Sequence, residues 1–150
     1  MKFLLDTDAI SFFYDAARTP EHHVIQRHVS TLQDDDVLQI SVLTLYEFEY
    51  SYFNATVNQQ EQIRRTIRKI ETTFEVIPLK REFAPIYGEM KCLLKRSTGR
   101  KPKEMKKYNI DLMIASSSVA EQSTLIGSDA IYSEISALYP RFKAENWLIC

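Results

Sequence analysis

Short apolar runs alternate with longer amphipathic stretches along this chain. Apolar runs of roughly four to eight residues between polar residues predict buried strands, and apolar residues spaced three and four apart predict helices. The predicted strands are KFLL, VLQIS, FEVIPL and TLIG, and the alternating tail RFKAENWLI predicts a short edge strand. Because strands that alternate with helices build layered folds, we predict an α/β protein, a three-layer α/β/α sandwich with a mostly parallel central sheet.

Helices are predicted between and after these strands. Asp8 is expected to cap a first helix that begins at Ala9, and Pro20 is expected to start a second helix. Further helices are predicted over residues 45–54, 59–73, 81–97, 112–121 and 130–138. STGRKPKE is the most loop-like segment, because Gly and Pro interrupt regular structure. The sequence has no internal repeat and no Gly- or Ser-rich linker, so residues 1–150 are expected to form a single domain.

Four acidic residues stand where a predicted strand gives way to a helix: Asp6, Glu47, Asp111 and Asp129. The carboxyl ends of parallel strands share one edge of the sheet, and ligands bind at that edge. Carboxylates gathered there repel each other and raise each other's pKa, and a divalent cation relieves that repulsion. Hard oxygen ligands suit Mg²⁺ or Mn²⁺. The distribution therefore predicts a metal-dependent site that handles phosphate.

Each of these acids also has a local explanation. Thr44 and Glu47 fit the S/T-x-x-E capping box, in which the two side chains satisfy each other's free backbone donors. Asn109 is a candidate cap, and Asp111 can simply complement a helix dipole. Asp6 can serve as a turn residue and Asp129 as a helix cap. The joint placement of all four at one edge is what favours a site.

Composition and charge limit the classes of protein to which this chain can belong. The 150 residues are 45% hydrophobic with five Pro and three Gly, which is typical of a folded globule. The net charge of −1 gives no overall basic character of the sort many nucleic-acid binders show. Cys92 and Cys150 make no disulfide framework, and neither a signal peptide nor an apolar run long enough to cross a bilayer is evident. The expected compartment is the reducing cytoplasm, with no membrane partner.

Several segments together resemble one known family. FLLDTDAIS is similar to the opening strand and D-T-(D/N/S) motif of PIN-domain ribonucleases, and SVLTLYEFEYS is similar to their S/T-x-x-E helix start. NIDLMIA resembles their D-x-x-I-A helix, TLIGSDAIY their strand that ends in an acidic position, and ENWL their closing strand. The motifs keep the family's order along essentially the whole chain. The resemblance is specifically to the VapC-type toxins of VapBC toxin–antitoxin pairs.

The resemblance implies a function and a set of site residues. The metal-binding acids would be Asp6, Glu47, Asp111 and Asp129, with Mg²⁺ as the metal and Mn²⁺ as an alternative. The supporting polar groups would be Thr7, Thr44 and Ser128, and Asp8 would be a cap or an outer contact of the metal. The resemblance also implies RNA cut to a 5′-phosphate and a 3′-hydroxyl, a homodimer, and a VapB-type antitoxin whose C-terminal segment lies in an apolar groove. No Ser/His/Asp set is evident, so the attacking group should be metal-activated water.

Basic residues are concentrated in one segment, residues 91–107, which holds eight of them against a single acid. A solvated helix face and loop would explain this composition. Because the segment runs into the helix start that bears Asp111, we favour guidance of the RNA backbone. The predicted RNA-binding residues are Arg100, Lys101, Lys103, Lys106 and Lys107.

Two other functions remain open at this stage. Asp6-Thr7-Asp8 after a strand also resembles the D-x-D start of haloacid-dehalogenase-like phosphatases, in which Asp6 would be the nucleophile. That family needs later Ser/Thr, Lys and paired acidic motifs, and Glu47 has no place in its scheme. The chain could also be a PIN-like module that only binds RNA or a partner, but such a module has no need of four acids.

Overall fold

The central sheet has five strands, and every pairing is parallel. The computed structural model describes residues 1–149, so Cys150 lies outside the described residues. The strands are β1 (Lys2–Leu5), β2 (Val37–Ser41), β3 (Glu75–Ile77), β4 (Thr124–Ile126) and β5 (Ala144–Glu145). Their order across the sheet is β3-β2-β1-β4-β5. The predicted parallel sheet is confirmed, and the tail does provide its edge strand.

The helices cover both faces of this sheet. They are α1 (Thr7–Phe13), α2 (Pro20–Ser30), α3 (Val42–Asn54), α4 (Val57–Thr73), α5 (Ala84–Thr98), α6 (Pro102–Met105), α7 (Asn109–Ala120) and α8 (Ala130–Leu138). Single 3₁₀ turns at Arg81–Phe83 and Lys106–Tyr108 precede α5 and α7. The segment predicted as a loop therefore contains a short helix, because Pro102 suits a first helical turn and Gly99, with a φ of 66°, ends α5 in the left-handed region.

Two hydrophobic clusters, one on each face of the sheet, form the core. Along β1, Leu4 packs in a cluster with residues of α5, α7 and α8. Its neighbours Phe3 and Leu5 pack in the other cluster, with residues of α1, α2 and α4. Successive side chains of a strand point to opposite faces, so a strand covered on both faces reads as a continuous apolar run. The predicted three-layer sandwich is confirmed.

The caps of three helices differ from the predictions. Asp6, not Asp8, caps α1, since its Oδ1 accepts a hydrogen bond from the Ala9 N–H at 2.8 Å. Helix α3 begins three residues early with Ser41 as its cap, so the capping box at Thr44 is wrong.

Asn109 is likewise inside α7, whose cap position is Tyr108. These helices begin almost directly after the preceding segment. The residues Thr44 and Asn109 each mark a possible helix start in the sequence. The earlier starts of α3 and α7 pair more backbone groups inside the fold, where unpaired groups are costly. Asp129 caps α8 as predicted and accepts from the Ile131 N–H at 2.9 Å. Across residues 1–149, no helix has the length and apolar character that a membrane crossing requires.

Candidate functional site

The site lies where the strand order reverses. β2 and β3 extend the sheet from one side of β1, and β4 and β5 extend it from the other. Leu5 pairs with Ile126, and the Asp6 N–H donates to the Ile126 carbonyl oxygen at 3.0 Å. Asp6 and Gly127 therefore leave neighbouring strands side by side. In open α/β sheets, ligands bind in the crevice outside the carboxyl ends of the strands at this reversal.

Asp6 is the most buried acid of the site, with only 5% of its surface exposed. Burial raises its pKa from 3.8 to about 7, the Ala9 hydrogen bond partly opposes that rise, and the charge of Asp8 adds to it. A carboxylate held in this way is a strong ligand for a cation, because binding a cation relieves the unfavourable burial of the charge.

Asp111 faces Asp6 from the first turn of α7 and is half-buried. Burial raises its pKa from 3.8 to about 6, and the charges of Asp129 and Glu47 add to the rise. Like charges therefore do act on each other at this edge.

Glu47 reaches the same edge from α3 and is exposed. The Thr7 hydroxyl donates to its Oε1 at 2.7 Å, and the Thr7 and Thr44 hydroxyl oxygens are 3.1 Å apart. Two of the predicted supporting hydroxyls thus connect α1 to α3 and orient Glu47.

These groups line a cleft of about 260 Å³. Its lining residues are Asp6, Thr7, Asp8, Glu47, Lys107, Ile110, Asp111, Ile114 and Tyr132. Three of the four predicted acids and Asp8 lie in it. Asp129 and Ser128 are exposed in the adjoining turn and are not lining residues, although the charge of Asp129 acts on Asp111.

The donor set fits a hard divalent cation. It consists of carboxylate and hydroxyl oxygens, and two of the carboxyl groups have raised pKa values. Among residues 1–149, no three acidic, His or Cys side chains form a ready-made metal cage. Asp6, Glu47 and Asp111 come from three different elements and line the same cleft.

Two residues of this site were not foreseen from the sequence. Tyr132, only 2% exposed, has its hydroxyl 3.4 Å from Oδ1 of Asp111. Burial and the charges of both acids raise its pKa, so the hydroxyl keeps its proton. Gly127 lies beneath Asp6 and Tyr132. A glycine directly after a buried strand is a signal for close approach of other groups, whereas nothing in the sequence marked Tyr132.

The predicted RNA-binding residues divide into two groups. Arg100 makes two hydrogen bonds to the carboxylate of Glu134, at 2.7 and 3.1 Å, and lies over the Tyr108 ring. Lys107 lines the acidic cleft. Lys101, Lys103 and Lys106 are exposed and precede Lys107 in the chain. The lysines, more than Arg100, are therefore available to a ligand of the cleft.

An apolar groove continues from the cleft. It has a volume of about 460 Å³ and shares Thr7, Glu47 and Ile110 with the cleft. Tyr46 and Tyr50 of α3 line it and are 69% and 72% exposed. Part of the aromatic surface of α3 thus faces this groove.

The PIN domain family model matches residues 3–138 of the chain. The chain belongs to the PIN domain family. PIN domains are generally nuclease domains, and the acidic cleft lies at the sheet edge where this fold binds ligands. No curated protein sequence matches the chain.

Solved structures share the fold of this PIN domain over nearly its whole length. A chain of VapBC2 from Rickettsia felis, bound to a DNA fragment from its promoter, is 22% identical, with a TM-score of 0.77 over 98% of this chain and 99% of that chain. A chain of VapBC-1 from nontypeable Haemophilus influenzae is 23% identical, with a TM-score of 0.75 over 98% of each chain. A chain of VapBC-5 from Mycobacterium tuberculosis is 21% identical, with a TM-score of 0.65 over 97% and 96%.

Proposed function

We propose that this PIN domain is a Mg²⁺-dependent endoribonuclease and the toxin of a type II toxin–antitoxin pair. The observation that carries the proposal is the cleft at the strand reversal, where Asp6, Glu47 and Asp111 converge. Burial and mutual repulsion raise the pKa of two of these acids. Carboxylates in that state favour a bound cation, which is the requirement of metal-assisted phosphodiester hydrolysis.

The residues that would hold the metal are Asp6, Glu47 and Asp111, with Asp129 as the fourth acid and Mn²⁺ as an alternative to Mg²⁺. When bound, the ion neutralises phosphate charge and makes water a better nucleophile at neutral pH. The protein's own contribution is to orient the carboxylates that would hold the ion. Asp6 is anchored by the Ala9 N–H, and Glu47 is held by the Thr7 hydroxyl.

RNA binding is assigned to the lysines around the cleft. Lys107 would contact the phosphate nearest the acids, because it lines the cleft itself. Lys101, Lys103 and Lys106 would guide the flanking backbone, since phosphate contacts fix the position of a nucleic acid without reading its sequence. Arg100 would contribute less, because Glu134 already occupies its guanidinium group.

The proposed partner is a VapB-type antitoxin, and we propose that the toxin is a cytoplasmic homodimer. Support for the partner comes from the similar chains of Rickettsia felis and Haemophilus influenzae, which belong to VapBC complexes. The apolar groove beside the cleft suits an apolar peptide segment. A basic side chain of that segment could then reach the acids, since an Arg fork pairs well with carboxylates.

Cleavage of RNA by the purified protein tests the enzymatic part of this proposal. Wild type should cleave single-stranded RNA with Mg²⁺ and stop on addition of a chelator, and Asp6→Asn should lose at least 100-fold in rate, in line with the loss of about 2.7–4 kcal/mol typical for one transition-state contact. Asp15→Asn is a matched control, because Asp15 lies beyond the far end of α1. Equal cleavage by wild type and Asp6→Asn would refute the assignment, and a phosphoryl group trapped on Asp6 would support the phosphatase alternative.

A further inference from the structure

Tyr132 lies near two acids of the cleft, the buried Asp6 and the half-buried Asp111. It lies in the first turn of α8, with its side chain directed away from solvent. Its hydroxyl is 3.4 Å from Oδ1 of Asp111, and its ring approaches the Asp6 carboxylate where both lie over Gly127. The Tyr132 side chain therefore lies near both the acid that follows β1 and the acid in the first turn of α7, and it does so from a third element.

The two oxygens of Asp6 have different surroundings. Oδ1 accepts the hydrogen bond from the Ala9 N–H, which fixes the plane of the carboxyl group at one side. Oδ2 lies over Gly127, where a Cβ would stand 2.6 Å from it. The same Cβ would stand 2.5 Å from Cε2 of Tyr132. Only a residue without a side chain at position 127 allows Asp6 and the Tyr132 ring to occupy these places together.

We propose that Tyr132 is a positioning residue of the acidic cleft and that Gly127 provides the space it needs. The hydroxyl donates its single proton to the Asp111 carboxylate, and the ring lies beside the Asp6 carboxylate over Gly127. Together these contacts set the orientation of the two acids toward a shared divalent cation. This inference rests on the proposed function in one respect, namely that these two acids are metal ligands. Tyr132 acts through the carboxylates and not on the substrate.

A neutral donor suits this position for a physical reason. A Lys or Arg between the two acids would neutralise them and compete with the metal for the same oxygens. A hydroxyl reduces the repulsion between the carboxylates but leaves their negative charge for the cation. Outer-shell hydrogen bonds of this kind orient metal ligands, and their removal typically weakens metal affinity by about 10- to 100-fold.

Mn²⁺ binding to the full chain, measured by calorimetry, tests the role of Tyr132. Tyr132→Phe keeps the ring and its contact with Phe142, whose centroid is 6.2 Å away, and removes only the hydroxyl. We expect about 10-fold weaker Mn²⁺ binding. Tyr139→Phe is the matched control: Tyr139 is also buried, but its hydroxyl contacts Arg141 instead of an acid. Its Mn²⁺ affinity should equal that of wild type.

Gly127→Ala gives a second variant that does not depend on the hydroxyl itself. The added methyl must displace Asp6 and Tyr132, so Mn²⁺ affinity should again fall about 10-fold. Gly88→Ala is its control, because a Cβ at position 88 of α5 would meet no atom within 4 Å. Thermal unfolding of all variants without metal separates loss of the fold from loss of the site.

RNA cleavage at increasing Mn²⁺ separates this inference from the proposed function. Because Tyr132 acts on metal binding, Tyr132→Phe should need about 10-fold more Mn²⁺ and then approach the wild-type rate. Equal Mn²⁺ affinities of a folded Tyr132→Phe and wild type would overturn the positioning role while leaving the nuclease intact. If Tyr132→Phe binds Mn²⁺ more weakly than wild type but wild type cleaves no RNA, the positioning role is supported and the nuclease is refuted. Absence of Mn²⁺ binding to wild type would overturn both.

Discussion

Replacing Asp6 by Asn should stabilise the metal-free protein, and only at neutral to alkaline pH. Asp6 is 5% exposed, and its pKa is raised from 3.8 to about 7, chiefly by burial. A carboxyl group whose pKa is higher in the folded state binds more protons when folded. Its ionisation therefore destabilises the fold: the effect is absent below pH 3.8, grows between pH 3.8 and 7, and is complete above pH 7.

The pKa rise sets an upper limit to the gain. One pKa unit corresponds to about 1.4 kcal/mol, so a rise from 3.8 to about 7 gives at most about 4 kcal/mol. Asn can still accept the hydrogen bond from the Ala9 N–H, so the cap of α1 is retained. Its buried amide N–H₂ group needs acceptors, and an imperfectly satisfied amide removes about 1–3 kcal/mol of that gain. We expect a net stabilisation of about 1–3 kcal/mol at pH 8. At pH 4 only the cost of the amide remains, so we expect a net destabilisation of about 1–3 kcal/mol.

Urea unfolding of both proteins at pH 4, 6 and 8 in the presence of a chelator measures this difference directly. The free energy of unfolding of Asp6→Asn minus that of wild type should increase with pH and level off above pH 7. Added Mg²⁺ should reverse the order, because a ligand that binds only the folded state stabilises it by mass action. A difference that is independent of pH would refute the assignment of the raised pKa to Asp6.

Three further predictions concern RNA binding, the core and toxicity. Replacing Lys101, Lys103 and Lys107 together by Gln should lower the slope of log affinity against log salt concentration by about 2, at about 0.7 for each phosphate contact with single-stranded RNA. An unchanged slope in filter binding would contradict their role. Leu4→Ala, at a fully buried position of β1, should lower the free energy of unfolding by about 2–5 kcal/mol in urea, and a loss below about 1 kcal/mol would be evidence against the described core. Expression of wild type alone should slow growth and Asp6→Asn should not, so equal growth with soluble wild-type protein would count against the toxin.

The order of elements could be predicted from the sequence because it depends on local patterns. FLL of β1 has both faces buried, so it reads as a continuous apolar run, and helix 130–138 has the predicted bounds because Asp129 caps it. Alternating strands and helices then require crossovers, which favours parallel strands. The family could be recognised for the same reason, since its motifs sit at these strand ends.

The tertiary structure alone decided which acids cap helices and which acids line the cleft. The sequence assigned the cap of α1 to Asp8, but Asp6 is both the cap of α1 and the buried acid of the cleft. Asp129 is the cap of α8 and Asp111 lies in the first turn of α7, yet only Asp111 lines the cleft. A short stretch of sequence indicates which residue can stand at a helix start. It does not indicate which of these residues faces the cleft.

Contacts between distant segments decided the rest. Arg100 belonged to a basic segment, but Glu134 of α8 pairs with it, so the basic stretch is not a uniform surface for RNA. Gly127 and Tyr132 meet Asp6 only because the register of β1 against β4 brings the two strand ends together. Hydrophobic periodicity is a property of neighbouring residues, whereas strand pairing joins residues that are far apart in the chain. The sequence therefore determined the elements and their order, and the packing of the sheet determined which side chains share the cleft.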